Sequence, residues 1–113
     1  MEKIVEQGLL YDFYGELLTD HQKQIYEAAV YNDMSLTEIA EEHGISKQGV
    51  HDLIKRCTNT LQGYENKLHM IRRFEAIKGN AEELIKVTEN GSYDDKTAGS
   101  VRDIALKIIE ELG

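Results

Sequence analysis

Side chains able to do covalent or metal chemistry are few and dispersed in this chain of 113 residues. His21, His43, His51 and His69 fall on different segments at no ligand spacing, and one cysteine, Cys57, cannot complete a zinc set. Cys57 lies on an apolar seam, where a small buried hydrophobe is a simpler reading than a reactive thiolate. The carboxylate pairs Glu41–Glu42 and Glu110–Glu111 read as solvated helix faces, and Gly44, Gly49 and Gly63 do not make a phosphate-cradling loop. No catalytic set, metal or cofactor is expected, so the chain reads as a non-enzyme. The basic residues remain. Lys47, Lys55 and Arg56 suit phosphate contacts, and Gln48 and His51 suit base edges. Lys67, Arg72, Arg73 and Lys78 form a second basic cluster, fit for a phosphate backbone or an acidic protein. The competing reading of that cluster is that it only keeps a long helix soluble.

The first group needs an element to hold it, and the stretch Met34–Arg56 supplies one. Ser35 and Glu38 have capping-box spacing, and Met34 and Ile39 are placed as a hydrophobic staple. Leu36, Ile39 and Ala40 share a face, with Ala40 small enough for a close helix crossing. Gly44 ends the helix, because glycine enters the left-handed conformation without steric cost. Ser46 then caps a second helix with Val50, Leu53 and Ile54 inward and Lys47, Gln48, His51 and Lys55 outward. This is a helix-turn-helix, whose second helix enters the DNA major groove. A hairpin used only for packing is the plainer alternative.

Composition agrees with an all-α chain. Proline and tryptophan are absent, 41% of residues are hydrophobic, and no linker composition breaks the chain. One helical domain over residues 1–113 is expected, with residues 17–57 as helix-turn-helix core and residues 80–113 as a C-terminal extension. The start is acidic and no run approaches a membrane span, so a cytoplasmic protein without membrane contact is expected. The net charge of −8 opposes simple nucleic-acid binding, but it is unevenly spread. Residues 1–43 carry −8, residues 44–79 carry +4, and residues 80–113 carry −4. A small, oriented basic surface follows, with weak non-specific binding.

Before the motif, Val5, Leu9, Leu10, Phe13 and Leu17 predict a helix over about residues 2–18. Thr19 and Gln22 cap another, with Ile25, Ala28 and Ala29 inward, and Asn32-Asp33 turn into the motif. After it, Val50, Ile54, Cys57, Leu61, Tyr64, Leu68 and Ile71 follow heptad spacing. One helix from Lys47 to Lys78 would be about 48 Å long at about 1.5 Å per residue. Such a projecting seam needs cover from the N-terminal helix, the C-terminal helices or a second copy, and a homodimer is expected. Gly79-Asn80 should interrupt it, Asn80 and Glu83 should start a short helix, and Asn90-Gly91 should end that helix. Residues 92–99 read as a loop. Ser100 then caps a last helix with the stripe Val101, Ile104, Ala105, Ile108 and Leu112, packed on the long helix.

Leu17-Leu-Thr-Asp-His-Gln22, Ser35-Leu-Thr-Glu-Ile-Ala40 and Gly44-Ile-Ser-Lys-Gln-Gly-Val50 resemble the promoter-reading fourth region of bacterial sigma factors. The chain is similar, more specifically, to the YlxM family of small bacterial proteins. Ile45-Ser-Lys-Gln-Gly-Val-His-Asp-Leu-Ile-Lys-Arg56 carries most of that likeness, and Tyr11-Asp-Phe-Tyr-Gly-Glu-Leu-Leu18 supports it. His43, where a core leucine is usual, and Gly49, where alanine is common, depart from the pattern. The resemblance implies an accessory role in the signal recognition particle pathway, because the family's genes commonly lie beside that of the particle's GTPase. It implies action either on DNA or RNA, as a regulator, or on the particle's GTPase or RNA, as an interaction module.

Overall fold

Helices begin where a side-chain oxygen takes up backbone N–H groups that have no partner within the helix. The computed structural model describes residues 2–89, 91 and 93–113. In it, Thr19 Oγ1 accepts from the Gln22 N–H at 3.2 Å, and Gln22 Oε1 accepts from the Thr19 N–H at 2.9 Å. Ser35 and Glu38 repeat the reciprocal box at 3.1 and 3.3 Å. Ser46 Oγ accepts from the Gly49 N–H at 2.9 Å. These caps open α2 (Asp20–Val30), α3 (Leu36–His43) and α4 (Lys47–Leu68). Ahead of them stand α1 (Lys3–Tyr14) and a 3-10 turn, Gly15–Leu17. α5 (Met70–Thr88) and α6 (Asp95–Leu112) follow, and all described regular structure is helical.

Two compact units result, Met1–His69 and Met70–Gly113. In the first, Ile25, Ile39 and Val50 are fully buried, with Ala28 and Ala40 beside them. Met34, Leu36, Ile45, Leu53 and Ile54 pack around this cluster, as the staples and stripes require. Each fully buried aliphatic side chain contributes about 1.5–3 kcal/mol. α1 lies along α4 and runs in the same direction. Gln7 Nε2 donates to Thr58 Oγ1 at 3.3 Å, and the Tyr14 hydroxyl donates to Glu65 at 2.5 Å, with the same sequence separation of 51 in both pairs. In the second unit, α6 pairs with α5, and Ile104 is buried.

Several expectations are corrected. The helix from Lys47 does not reach Lys78: it stops at Leu68, and His69 turns left-handed at φ 57° with its N–H on Glu65 O at 2.8 Å. α4 runs on through Gly63. The seam's early positions Val50, Cys57 and Leu61 are buried inside the first unit, where α1, α2 and α3 pack on α4, so the N-terminal helix is among the covers that the seam required. Gly79 and Asn80 sit inside α5, since one glycine costs only about 1 kcal/mol of helix propensity and α6 packs along this helix. Thr88 ends it, Gly91 is left-handed at φ 69°, and the expected terminator Asn90 lies outside the described residues. The last helix starts earlier than Ser100 because Asp94 accepts from the Thr97 N–H at 2.8 Å, which makes residues 95–99 helical. Ser92, the first residue of the expected loop, is outside the described residues.

The N-terminal stripe also shifts. α1 ends at Tyr14, and Leu17 is exposed where Leu18 is buried. A β-carbon at Gly15 would lie 2.8 Å from the Tyr11 ring, so a larger residue at this turn would require the ring to shift. Tyr26, which the inward stripe of α2 omitted, is completely buried, with its hydroxyl 2.9 Å from Thr58 Oγ1. The ring of Tyr11 stacks on it at 5.6 Å and meets Tyr31 edge-on at 5.7 Å.

These phenols bind α1 to α2: Tyr11 donates to Glu27, and Tyr31 donates to Asp12. Burial, reinforced by the Glu27 carboxylate, raises the Tyr11 phenol well above its ordinary value. Burial and the Asp12 carboxylate push Tyr31 up from 10.0 to about 12. The folded state therefore keeps protons that the unfolded chain releases, so this contribution is whole below pH 10.0 and declines as pH rises toward about 12. Urea midpoints measured across that interval should fall with pH. The fall should be shallower when Tyr11 and Tyr31 are both replaced by Phe.

Candidate nucleic-acid interface

The turn between α3 and α4 fixes the angle at which α4 is presented. Gly44 adopts φ 65° and ψ 33°, and the N–H groups of Gly44 and Ile45 both reach Ala40 O, the latter at 3.1 Å. Any other residue at Gly44 would carry a β-carbon into the left-handed region, at about 1–2 kcal/mol. The glycine at position 49 has a local reason as well. A β-carbon there would approach Ser46 Oγ to 3.0 Å, the oxygen that caps α4. His43 is half-buried and meets the ring of the exposed His21 edge-on at 6.1 Å, outside the core cluster.

Val50, Leu53 and Ile54 turn one side of α4 into the core. Gln48, His51 and Lys55 then recur on the other side at helical spacing, with Lys47 and Arg56 flanking them, and all five are exposed. Gln48, His51 and Lys55 thus share one stripe, while Lys47 and Arg56, about half a helical turn apart around α4, lie at its opposite edges. Among the described residues, Lys47, Lys55 and Arg56 make no ion pair. Their exposure shows that, among the described residues, the acidic stretch before the motif does not cover them.

The second basic group is not gathered in the same way. Lys67 is on the last turn of α4 in the first unit, whereas Arg72, Arg73 and Lys78 are on α5 in the second. Their spacing spreads these three around α5 instead of along one stripe.

One residue of the α4 surface escaped the sequence reading. Asp52 falls in the middle of the outer stripe, four residues after Gln48, and that spacing was the available signal. Its carboxylate accepts from Gln48 Nε2 at 2.9 Å and meets His51 Nδ1 at 3.5 Å. These two contacts, Gln48 first, hold the Asp52 carboxyl below its ordinary value. Both candidate base-reading side chains therefore lean on one internal carboxylate. Cys57 on the opposite side is buried, which raises its thiol and leaves it a core hydrophobe.

A left-handed glycine between two capped helices, with the second helix's polar side open, defines a helix-turn-helix protein. The chain belongs to the UPF0122 family, described as "Putative helix-turn-helix protein, YlxM / p13 like", whose profile matches residues 1–102. Similar proteins include the UPF0122 protein of Acetivibrio thermocellus, 43% identical over 112 residues that cover 98% of this chain and 93% of that one. The UPF0122 protein Teth514_1714 of Thermoanaerobacter sp. is 39% identical over 105 residues, 90% of each chain. The UPF0122 protein of Lactococcus lactis subsp. cremoris is 41% identical over 93 residues, 82% of this chain and 84% of that one. Membership of a helix-turn-helix family points to nucleic-acid binding. Among the described residues, no helix is long and apolar enough to cross a membrane.

The Asp52 contacts can be checked without any ligand. Replacing Gln48 with Ala should raise the Asp52 carboxyl toward its ordinary value, read from the side-chain carbon shift in an NMR titration. An unchanged midpoint would mean that Gln48 does not hold this carboxylate in solution.

Proposed function

We propose that this chain is a cytoplasmic regulatory protein that binds DNA through the outer surface of α4. Lys47, Lys55 and Arg56 would contact phosphates, while Gln48 and His51 would reach base edges in the major groove. The observation that carries this reading is the set of exposed cations on a capped helix, free of ion pairs among the described residues. The sigma-like spacing of the motif supports it further. Replacing Lys55 and Arg56 with Ala should weaken binding to DNA and reduce the log–log salt slope by about 0.9 for each lost phosphate contact. Fluorescence anisotropy across a salt series measures this, and an unchanged slope would overturn the assignment.

The finer reading places the protein beside the signal recognition particle, and it rests on the YlxM resemblance alone. The same salt series on the particle's RNA distinguishes RNA from DNA as the polyanion, and nuclease-resistant co-purification of the GTPase would favour the accessory role instead. Lys67 on α4 and Arg72, Arg73 and Lys78 on α5 would each serve as separate secondary backbone contacts in either case. Self-association belongs to this proposal too. Ile85, Leu106 and Ile109 are exposed on α5 and α6, and a second copy would bury such side chains. Sedimentation equilibrium should give a dimer mass, with Leu106→Glu and Ile109→Glu together shifting it to the monomer. A wild-type monomer at all concentrations would exclude the dimer.

A further inference from the structure

A cleft of about 400 Å³ opens where the first turns of α1 meet α4, beside the outer surface just described. Leu36 and Ile54 contribute its apolar lining. Its polar lining comes from two helices: Lys3 and Gln7 on α1, and His51, Lys55, Thr58 and Asn59 on α4. Among the described residues lining it, none is acidic.

The arrangement follows from the direction of α1. Because α1 runs parallel to α4 and Gln7 bonds to Thr58, the residue one turn earlier, Lys3, comes level with the Ile54–Lys55 step. Lys3 and Gln7 share one face of α1, as Lys55 and Asn59 share one face of α4. Two of the polar groups are already committed: the Gln7 amide donates to Thr58, and the Thr58 hydroxyl donates to Ile54 O at 2.9 Å. The ammonium groups of Lys3 and Lys55 are not, since neither makes an ion pair among the described residues. Two unpaired cations across one cleft repel each other, and an anion between them converts that repulsion into attraction.

We propose that the nucleic-acid surface continues from α4 across this cleft onto α1, with a backbone phosphate seated between Lys3 and Lys55. This rests on the reading of α4 as the nucleic-acid helix and adds to it a contact from outside the helix-turn-helix. Lys3 fixes no base. It extends the tract of backbone that the protein holds and sets the register in which Gln48 and His51 meet base edges.

The test measures binding of a mixed-sequence DNA duplex across a salt series for the full chain and for Lys3→Ala, Lys3→Arg, Lys55→Ala and Lys107→Ala. Lys3 is exposed, so circular dichroism should show an unaltered fold in its variants. The expected result is a salt slope smaller by about 0.9 for Lys3→Ala and for Lys55→Ala. Lys3→Arg should restore the slope, and Lys107→Ala, an equal change of net charge on α6, should leave it unaltered. If Lys55→Ala flattens the slope and Lys3→Ala behaves as Lys107→Ala does, this proposal is overturned while the α4 reading stands. If neither variant flattens it, both fall. Inorganic phosphate is the second probe: shifts at Lys3 that saturate with phosphate, alongside no effect of Lys3→Ala on the duplex slope, would assign the cleft to a free anion and not to nucleic acid.

Discussion

The burial of Ile25, Ile39 and Val50 against one another is the constraint on which the rest depends. These three residues come from three different helices, so their contact fixes α2, α3 and α4 together. Once Val50 is locked inward, helical geometry decides the fate of every other α4 side chain. Gln48, His51 and Lys55 can then only face outward. Gly44 allows the chain to turn tightly enough for this, and the caps at Ser35 and Ser46 make both helices begin at the required residues. A single-residue slip at either cap would rotate α4 by about 100° and carry the polar stripe toward the core.

A second layer of contacts holds α1 in place, and it is chemically different. It consists of aromatic rings whose hydroxyls end on carboxylates or on Thr58: Tyr11 with Glu27, Tyr31 with Asp12, Tyr14 with Glu65, and Tyr26 with Thr58. Three of the acidic residues that make the chain so negative, Asp12, Glu27 and Glu65, thus accept hydrogen bonds from these phenols at the edge of the fold. A net charge of −8 and a cationic surface are compatible because the charge is unevenly spread along the chain, with +4 on residues 44–79.

What the sequence disclosed was local. Thr19 with Gln22, Ser35 with Glu38, Gly44 and Ser46 act within a few residues, and each does in the structure what its spacing announces. The inward and outward sides of α4 follow from periodicity alone. The misreadings have another origin. The heptad spacing continues smoothly past Leu68, and only the left-handed His69, a residue with no strong preference to stop a helix, breaks it. Conversely, Gly79-Asn80 has the composition of a stop, yet pairing with α6 carries α5 through it. Asp94 outcompetes Ser100 as a cap, although both have the right chemistry. Tyr26 reads as half-polar until Thr58, 32 residues away, supplies its hydroxyl with a partner. Lys3 and Gln7 could not be joined to the α4 surface from the sequence at all, because that requires knowing that α1 runs parallel to α4.

Asp52 shows how the same surface limits its own strength. A carboxylate in the middle of the proposed phosphate-binding stripe would repel a nucleic-acid backbone and so lower indiscriminate attraction to any polyanion. It also orders its neighbours, since Gln48 bonds to it at 2.9 Å and His51 approaches it at 3.5 Å. A glutamine held by a carboxylate gives up less rotamer freedom when it meets a base edge, and it still has a carbonyl oxygen and a second N–H to offer. A carboxylate facing cytosine can accept from its exocyclic amine, whereas facing guanine it meets only acceptors. If α4 enters the major groove as proposed, Asp52 would lower affinity for duplexes in general and disfavour guanine opposite it.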